Sequence, residues 1–352
     1  MDEATFRILD TLSREIGNPI SIHQLTSKIK QQYGTGYYAR TYNKSMELSK
    51  QGLIAITKTG RSSIPSLNFP GYSLLDMLSE IEMRRKREFL DGSRALRPLI
   101  MDIEACAHGD PRIDSISLTN PERNARLNRA ELLILLRNSP ERSSKQTAPI
   151  YTAMRDIQIK RDIRTDALLL STEDFSGLLT SDEINPLREM LGNKIAFYAP
   201  QAFWAEIADA FANGRRIRLL SEETNPARIA ESDLLFNLYR FGYRELGSKI
   251  EEGKKICLEY ITSSILMKGD ARRINAIPTL LSKNAANYNL LIFLTRKYGL
   301  SDKLLPILKV MQKKKPQEKI AVMVDIVQDL GTRENKADKK CRRTEHEVVE
   351  CR

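Results

Sequence analysis

The chain has 352 residues, with 56 Lys and Arg against 45 Asp and Glu, a formal net charge of +11 and a pI near 9.4. That length divides into two or three domains, each able to bury a core without a disulfide or metal staple. The positive balance points to a polyanionic partner, nucleic acid ahead of an acidic membrane surface, against the plainer alternative of a merely basic cytosolic protein.

Cys106, Cys257, Cys341 and Cys351 form no C-x-x-C pair and no zinc-finger spacing, and Cys106 and His108 lack a second pair, so no metal site is expected. Scattered thiols and the acidic Met1-Asp2-Glu3 are expected of a cytoplasmic protein rather than an exported one. Nothing approaches the ~20 apolar residues of a membrane span, so no membrane partner is expected.

Phe6, Ile8, Leu9, Leu12 and Ile16 have helical spacing, and Gly17-Asn18-Pro19 ends that helix. A second helix, His23 to Tyr33, turns Leu25 and Ile29 inward and stops at Gly34-Thr35-Gly36. A third runs from about Tyr37 to Gln51 and is closed by Gly52. Leu53–Thr57 and Ile64–Phe69 read as two strands around Lys58-Thr59-Gly60-Arg61-Ser62-Ser63.

That order over residues 4–70 resembles the winged helix-turn-helix family. The resemblance implies that the third helix enters a DNA major groove, presenting Tyr37, Tyr38, Arg40, Thr41 and Lys44, while the wing offers Lys58, Arg61 and Ser62 to phosphates. Between Ser27 and Arg61, seven Lys or Arg (28, 30, 40, 44, 50, 58, 61) face one acid, Glu47. The bland reading is a solvated face, and core packing for one of the two tyrosines.

Leu74, Leu75, Leu78, Ile81 and Phe89 mark a long amphipathic helix ending in Arg84-Arg85-Lys86-Arg87. It serves either to pair two copies of the chain or to cap the first domain within one copy. Next comes a helix over 95–107. Two buried strands, Ile113–Leu118 and Glu131–Leu136, follow it, joined by a polar loop carrying Arg123, Arg126 and Arg129. A helix from Pro149 to Arg155 and a strand Thr165–Leu170 complete the pattern, which continues into Thr172-Glu173-Asp174-Phe175 and Ile195 to Trp204.

Residues 95–210 resemble the minimal nucleotidyltransferase superfamily, on Asp166-Ala-Leu-Leu-Leu-Ser171 and Ile195-Ala-Phe-Tyr-Ala-Pro-Gln-Ala-Phe-Trp204. The resemblance implies a Gly-Ser turn, an Asp-x-Asp pair and a third Asp, holding two divalent metals against a triphosphate. Here Asn120-Pro121 stands for Gly-Ser, Glu131 and Leu133 for the pair, and Asp166 for the third acid. The site reads as degenerate, with Glu131 and Asp166 its residual candidates and no catalytic residue assigned. The loop arginines either bind an anion or face solvent. No Walker or G-x-S-x-G motif offers another chemistry.

The remainder reads as helical: Pro226 to Arg244, Ile250 to Met267, Arg272 to Asn284, Tyr288 to Tyr298, Ser301 to Met311 and Glu318 to Leu330, then a charged tail. The expected class is multi-domain α+β. Residues 1–73 form the winged unit, 74–94 a linker or dimerisation helix, 95–220 an inactive nucleotidyltransferase-like α/β core with a mixed sheet, 221–331 an all-α bundle and 332–352 a flexible tail.

The expected function is sequence-specific binding of double-stranded DNA by a transcriptional regulator, cytoplasmic and nucleoid-associated. It would act as a homodimer, with a protein partner on the C-terminal helices and no cofactor. The alternative is an active nucleotidyltransferase on nucleic acid or protein, with Glu131, Asp166 and Glu122 converging on Mg2+ and a nucleoside triphosphate.

Overall fold

The structure is a computed structural model and describes residues 1–137, 147–212, 217–220, 223–244, 252–314 and 316–331. Among the described residues the fold is α+β: sixteen α-helices, a two-stranded antiparallel ribbon and a mixed four-stranded sheet. None of the described helices is long and apolar enough to cross a membrane.

Helices α1 (Glu3–Arg14), α2 (Ile22–Tyr33) and α3 (Tyr38–Lys50) pack around Phe6, Leu9, Leu25, Ile29 and Leu48. Local chemistry sets their ends. Asp2 caps α1 by accepting the Thr5 N–H at 2.8 Å. Ser21 and Gln24 form a reciprocal capping box on α2, and Gly34 closes that helix at φ 74°. Strands β1 (Ile54–Thr59) and β2 (Ser62–Leu67) follow in antiparallel register, with Thr59 opposite Ser62.

The amphipathic helix α4 (Tyr72–Gly92) decides between its two sequence readings. Leu74, Leu78, Ile81, Glu82 and Arg85 are all buried within this one chain, on a helix that contacts α1 and later elements. Its apolar face is therefore buried inside this one chain.

After α5 (Leu96–Gly109) the larger sheet runs in the order β5-β4-β3-β6. It comprises β3 (Ile113–Thr119), β4 (Arg129–Leu136), β5 (Arg164–Ser171) and β6 (Lys194–Tyr198). Strand β3 is antiparallel to both β4 and β6, while β4 and β5 are parallel. In β4 the alternating sets Leu132/Ile134 and Leu133/Leu135 are both buried, so helices cover both faces. These helices include α7 (Ala148–Arg161), α8 (Thr172–Thr180) and α10 (Pro200–Ala212), with the short α9 (Pro186–Met190) beside them.

The expected polar loop between β3 and β4 is instead helix α6 (Pro121–Leu127), because Pro121 fits the first helical turn and left-handed Asn120 and Asn128 turn the chain at either end. Arg129 is not on that connection at all; it opens β4 and is buried.

A 3-10 turn (Pro226–Arg228) and α11 (Glu231–Arg240) replace the single helix expected over Pro226 to Arg244. The helix expected from Ile250 starts only at Leu258 (α12, Leu258–Lys268), because Ile256 is drawn into a bridge with Ile184. Then come α13 (Ala271–Lys283), α14 (Tyr288–Lys297), α15 (Ser301–Lys314) and α16 (Glu318–Gly331). Helix α14 lies against β5 and α16 against α7, so the C-terminal helices are joined to the sheet. The tail 332–352, the stretch 213–216, Ile250 and Lys315 lie outside the described residues.

Two connections fix the N-terminal unit to the core. Residues 217–220 run past the end of α1: the Leu219 N–H donates to the Ile16 carbonyl at 3.0 Å, and Asn18 Nδ2 to the Leu219 carbonyl at 3.2 Å. Leu220 then donates to the Arg188 carbonyl on α9 at 3.0 Å. Deeper in, Arg85 bridges Asp10 of α1 and Glu82 of α4, and Glu82 accepts from Lys194 Nζ (2.6 Å) and the Ala196 N–H (2.9 Å) on β6. Burial pulls the Asp10 carboxyl up, yet Arg85 and Arg14 outweigh it and hold the group below its ordinary value.

Candidate functional site

Two places in the fold carry concentrated functional chemistry. The first is the outer side of α3. Packing sorts its residues: Thr41, Ser45 and Leu48 face the N-terminal core, and Tyr38, Tyr42 and Met46 stay exposed along the flank beside them. Their exposures are 52%, 36% and 37%, and Tyr37, just before the helix, is 65% exposed. The Tyr38 and Tyr42 rings stack at 6.0 Å, and His23 of α2 lies 6.4 Å from Tyr38. The Arg40 guanidinium lies 5.5 Å from the Tyr37 ring centre.

The residues expected to meet DNA therefore fall into two groups. Tyr37, Tyr38 and Arg40 are exposed together, and Lys58, Arg61 and Ser62 are exposed on the β1–β2 ribbon. Thr41 is not among them: only 6% exposed, it packs inward. Lys44 is drawn back against the protein by Asp2 (3.0 Å) and Glu47 (2.8 Å). The hydrogen bond to Glu47, then that to Asp2, raises its pKa. Packing of α3 against α1 and α2 takes Thr41 inward, and the three-residue spacing sets Lys44 beside Glu47.

Sequence reasoning passed over Tyr42, Asn43 and Met46, all exposed on the same helix. The signal was present in the spacing 38, 42, 46, which forms one stripe. Of the seven cations between Ser27 and Arg61, Lys28 pairs with Glu15 at 2.7 Å and Lys44 is paired as above. Lys30, Arg40, Lys50, Lys58 and Arg61 are exposed and make no ion pair among the described residues.

The second place is the core cleft where Glu131 and Asp166 stand. They are register partners on the parallel strands β4 and β5, so both side chains share one face of the sheet. Both are fully buried among cations, with Glu131 Oε1 and Asp166 Oδ1 in ion-pair contact but accepting no hydrogen bond among the described residues. Glu131 contacts Arg129 Nη2 at 2.7 Å and accepts from Lys297 Nζ at 3.0 Å. Asp166 accepts from Arg164 Nε at 3.0 Å and contacts Arg296 Nε at 3.2 Å. Lys297 also binds Glu223, which Arg123 reaches from outside at 2.9 Å. Burial alone would push Asp166 up, but Arg164, Arg296 and Arg129 together hold it below the usual carboxylate range.

Paired-metal chemistry needs carboxylate oxygens free to face two cations about 3.5–4 Å apart. Here Arg129 and Arg164 of the sheet, with Arg296 and Lys297 of α14, already lie against those oxygens. Glu122 lies outside the cluster, exposed and accepting from Asn193 Nδ2 at 2.9 Å. The turn expected to cradle phosphates is also engaged: the Asn120 N–H donates to the Asn193 carbonyl at 2.7 Å, and Pro121 has no N–H to offer. These residues do not fit a metal-bound nucleoside triphosphate. Arg296 and Lys297 were not legible as partners of Glu131 and Asp166, because more than a hundred residues separate them in sequence.

No protein-family profile, curated protein sequence or solved structure matches the chain.

Proposed function

We propose that the chain binds double-stranded DNA in a sequence-specific way and regulates transcription. The N-terminal unit would act as a winged helix-turn-helix reader, and the nucleotidyltransferase-like core as a scaffold without catalysis. The observation that carries this reading is the exposed α3 face flanked by unpaired cations on α2, α3 and the β1–β2 ribbon. A protruding helix with a cationic ribbon beside it matches a major groove bordered by phosphates. The pairing of Glu131 and Asp166 with arginine and lysine supports the scaffold half. A homodimer and a protein partner on the C-terminal helices belong to the same proposal; a paired, two-fold symmetric DNA site is its natural target.

The test is selection of bound duplexes from a random pool, followed by affinity measurement across salt concentrations. Binding should weaken steeply with salt as condensed counterions are released. Lys58→Ala and Arg61→Ala should weaken all sequences alike and each lower the salt slope by about one, whereas Arg40→Ala should relax sequence preference. No duplex binding at low salt would sink the reading. For the scaffold half, labelled ATP or CTP with Mg2+ or Mn2+ should leave nucleic-acid and protein acceptors unlabelled.

A further inference from the structure

The reading face of α3 has an unusual balance. Along the 38/42/46 stripe no cation comes before Lys50: Lys44 is held by Asp2 and Glu47, and the exposed Arg40 lies on another side of the helix, against Tyr37. What it presents is apolar surface, Tyr38, Tyr42 and Met46 in one stripe, and one carboxamide, Asn43, exposed and without a hydrogen bond among the described residues.

The major groove offers few matches to that surface. Guanine presents two acceptors and calls for Arg or Lys; adenine N7 and N6 present an acceptor beside a donor and suit a carboxamide. The thymine C5-methyl is the apolar group that the unmodified groove displays. Residues four apart on a helix rise about 6 Å, close to two base-pair steps of about 3.4 Å each. Laid along the groove, the stripe would therefore meet thymines two base pairs apart.

We infer that α3 reads A·T pairs, with Tyr38, Tyr42 and Met46 packed on thymine C5-methyls and Asn43 on the N6/N7 edge of an adenine. This rests on the duplex-binding reading and adds to it the class of sequence recognised. 5-Methylcytosine carries the same methyl, and the test separates the two sources.

The experiment measures affinity of the full chain for its best selected duplex and three modified versions. Replacing thymine by deoxyuridine removes only the methyl groups, and should weaken binding about tenfold for two buried methyls. Replacing adenine by 7-deazaadenine should weaken the native protein but leave Asn43→Ala unchanged. A duplex with 5-methylcytosine at the contacted thymines should recover less than half of the uracil loss, because its pairing guanine does not suit Asn43. Tyr38→Ala with Tyr42→Ala should bind more weakly and become indifferent to uracil; both rings are on the surface, so folding is preserved.

Salt-dependent binding that ignores uracil, or a selected site rich in G·C, overturns the inference while leaving duplex binding intact. Full recovery by 5-methylcytosine overturns the adenine contact and with it the A·T assignment. Absence of any duplex binding removes both readings together.

Discussion

The Lys297 ammonium on α14 donates to the Glu131 carboxylate on β4 across 3.0 Å and 166 residues of sequence. Both groups are buried. The contact joins the C-terminal helices to the sheet, and an internal cation neutralises the acid there. Burying charge costs several kcal/mol per ion, and only a saturated cluster offsets that.

Lys297→Met should therefore destabilise the chain by about 3–5 kcal/mol, since it leaves a buried carboxylate short of its partner. Urea unfolding measures this. Replacing Glu131 by Leu in the same chain should recover part of the loss, since it removes the unpartnered carboxylate but leaves the buried Arg129 without Glu131. A Lys297→Met chain as stable as the native one would mean that the pair does not hold the two parts together.

Arg85 occupies the corresponding position between α1 and α4. Besides Asp10 and Glu82 it donates to the Ser13 hydroxyl at 2.9 Å and the Asp10 carbonyl at 3.1 Å. Arg85→Met takes the shared cation from two buried carboxylates, and an unfolding loss of about 3–5 kcal/mol is expected. Hydrogen exchange should show α1 and α4 opening together in this variant. Exchange confined to the chain ends would contradict the bridge.

Glu259, fully buried at the start of α12, gives a pH signature. Burial pushes its carboxyl up from 4.5 to about 7, against the pull of the Asn287 N–H that it accepts at 2.6 Å. Between pH 4.5 and 7 the folded state thus binds more protons than the unfolded state. Stability from this group is full below pH 4.5 and falls as pH rises through 7. Unfolding at pH 5 and pH 8 should differ by a few kcal/mol from this source at about 1.36 kcal/mol per pKa unit, and Glu259→Gln should remove that part of the slope. An unchanged slope in the variant would assign the pH dependence elsewhere.

Gly17 sits at φ +75°, and a Cβ there would fall 1.7 Å from the Ile217 carbonyl oxygen. A side chain is excluded both by the left-handed backbone and by the backbone beside it. Gly17→Ala should cost more than about 1 kcal/mol and release the 217–220 segment from the end of α1. Faster proteolysis near residue 217 with the rest of the chain protected is the expected reading; native resistance would argue against the strap.

Much of the architecture was legible from local pattern. Apolar spacing in Phe6–Ile16 and Tyr288–Tyr298, stop residues such as Gly34, and the β-rich runs at 113–118 and 131–136 place elements near their observed bounds. Such signals are local, because backbone hydrogen bonding and amphipathic burial act within a few residues. They fail where an element is set from outside. Ile250 to Leu258 has helical composition, yet its end is drawn to Ile184; the 120–129 stretch is polar, yet it coils into α6 and delivers Arg129 to the interior.

The candidate site divides in the same way. The sequence by itself determined that a basic, aromatic third helix and a basic turn exist, because they are properties of composition and short spacing. Only the tertiary structure decided which of those side chains remain available: Thr41 is buried by packing, Lys44 is taken by Asp2, and Tyr42, Asn43 and Met46 come out on the open side. It alone also set Arg296 and Lys297 against Asp166 and Glu131. The physical reason is that a carboxylate's character depends on which charges folding brings within a few ångströms of it, and those arrive from distant parts of the chain.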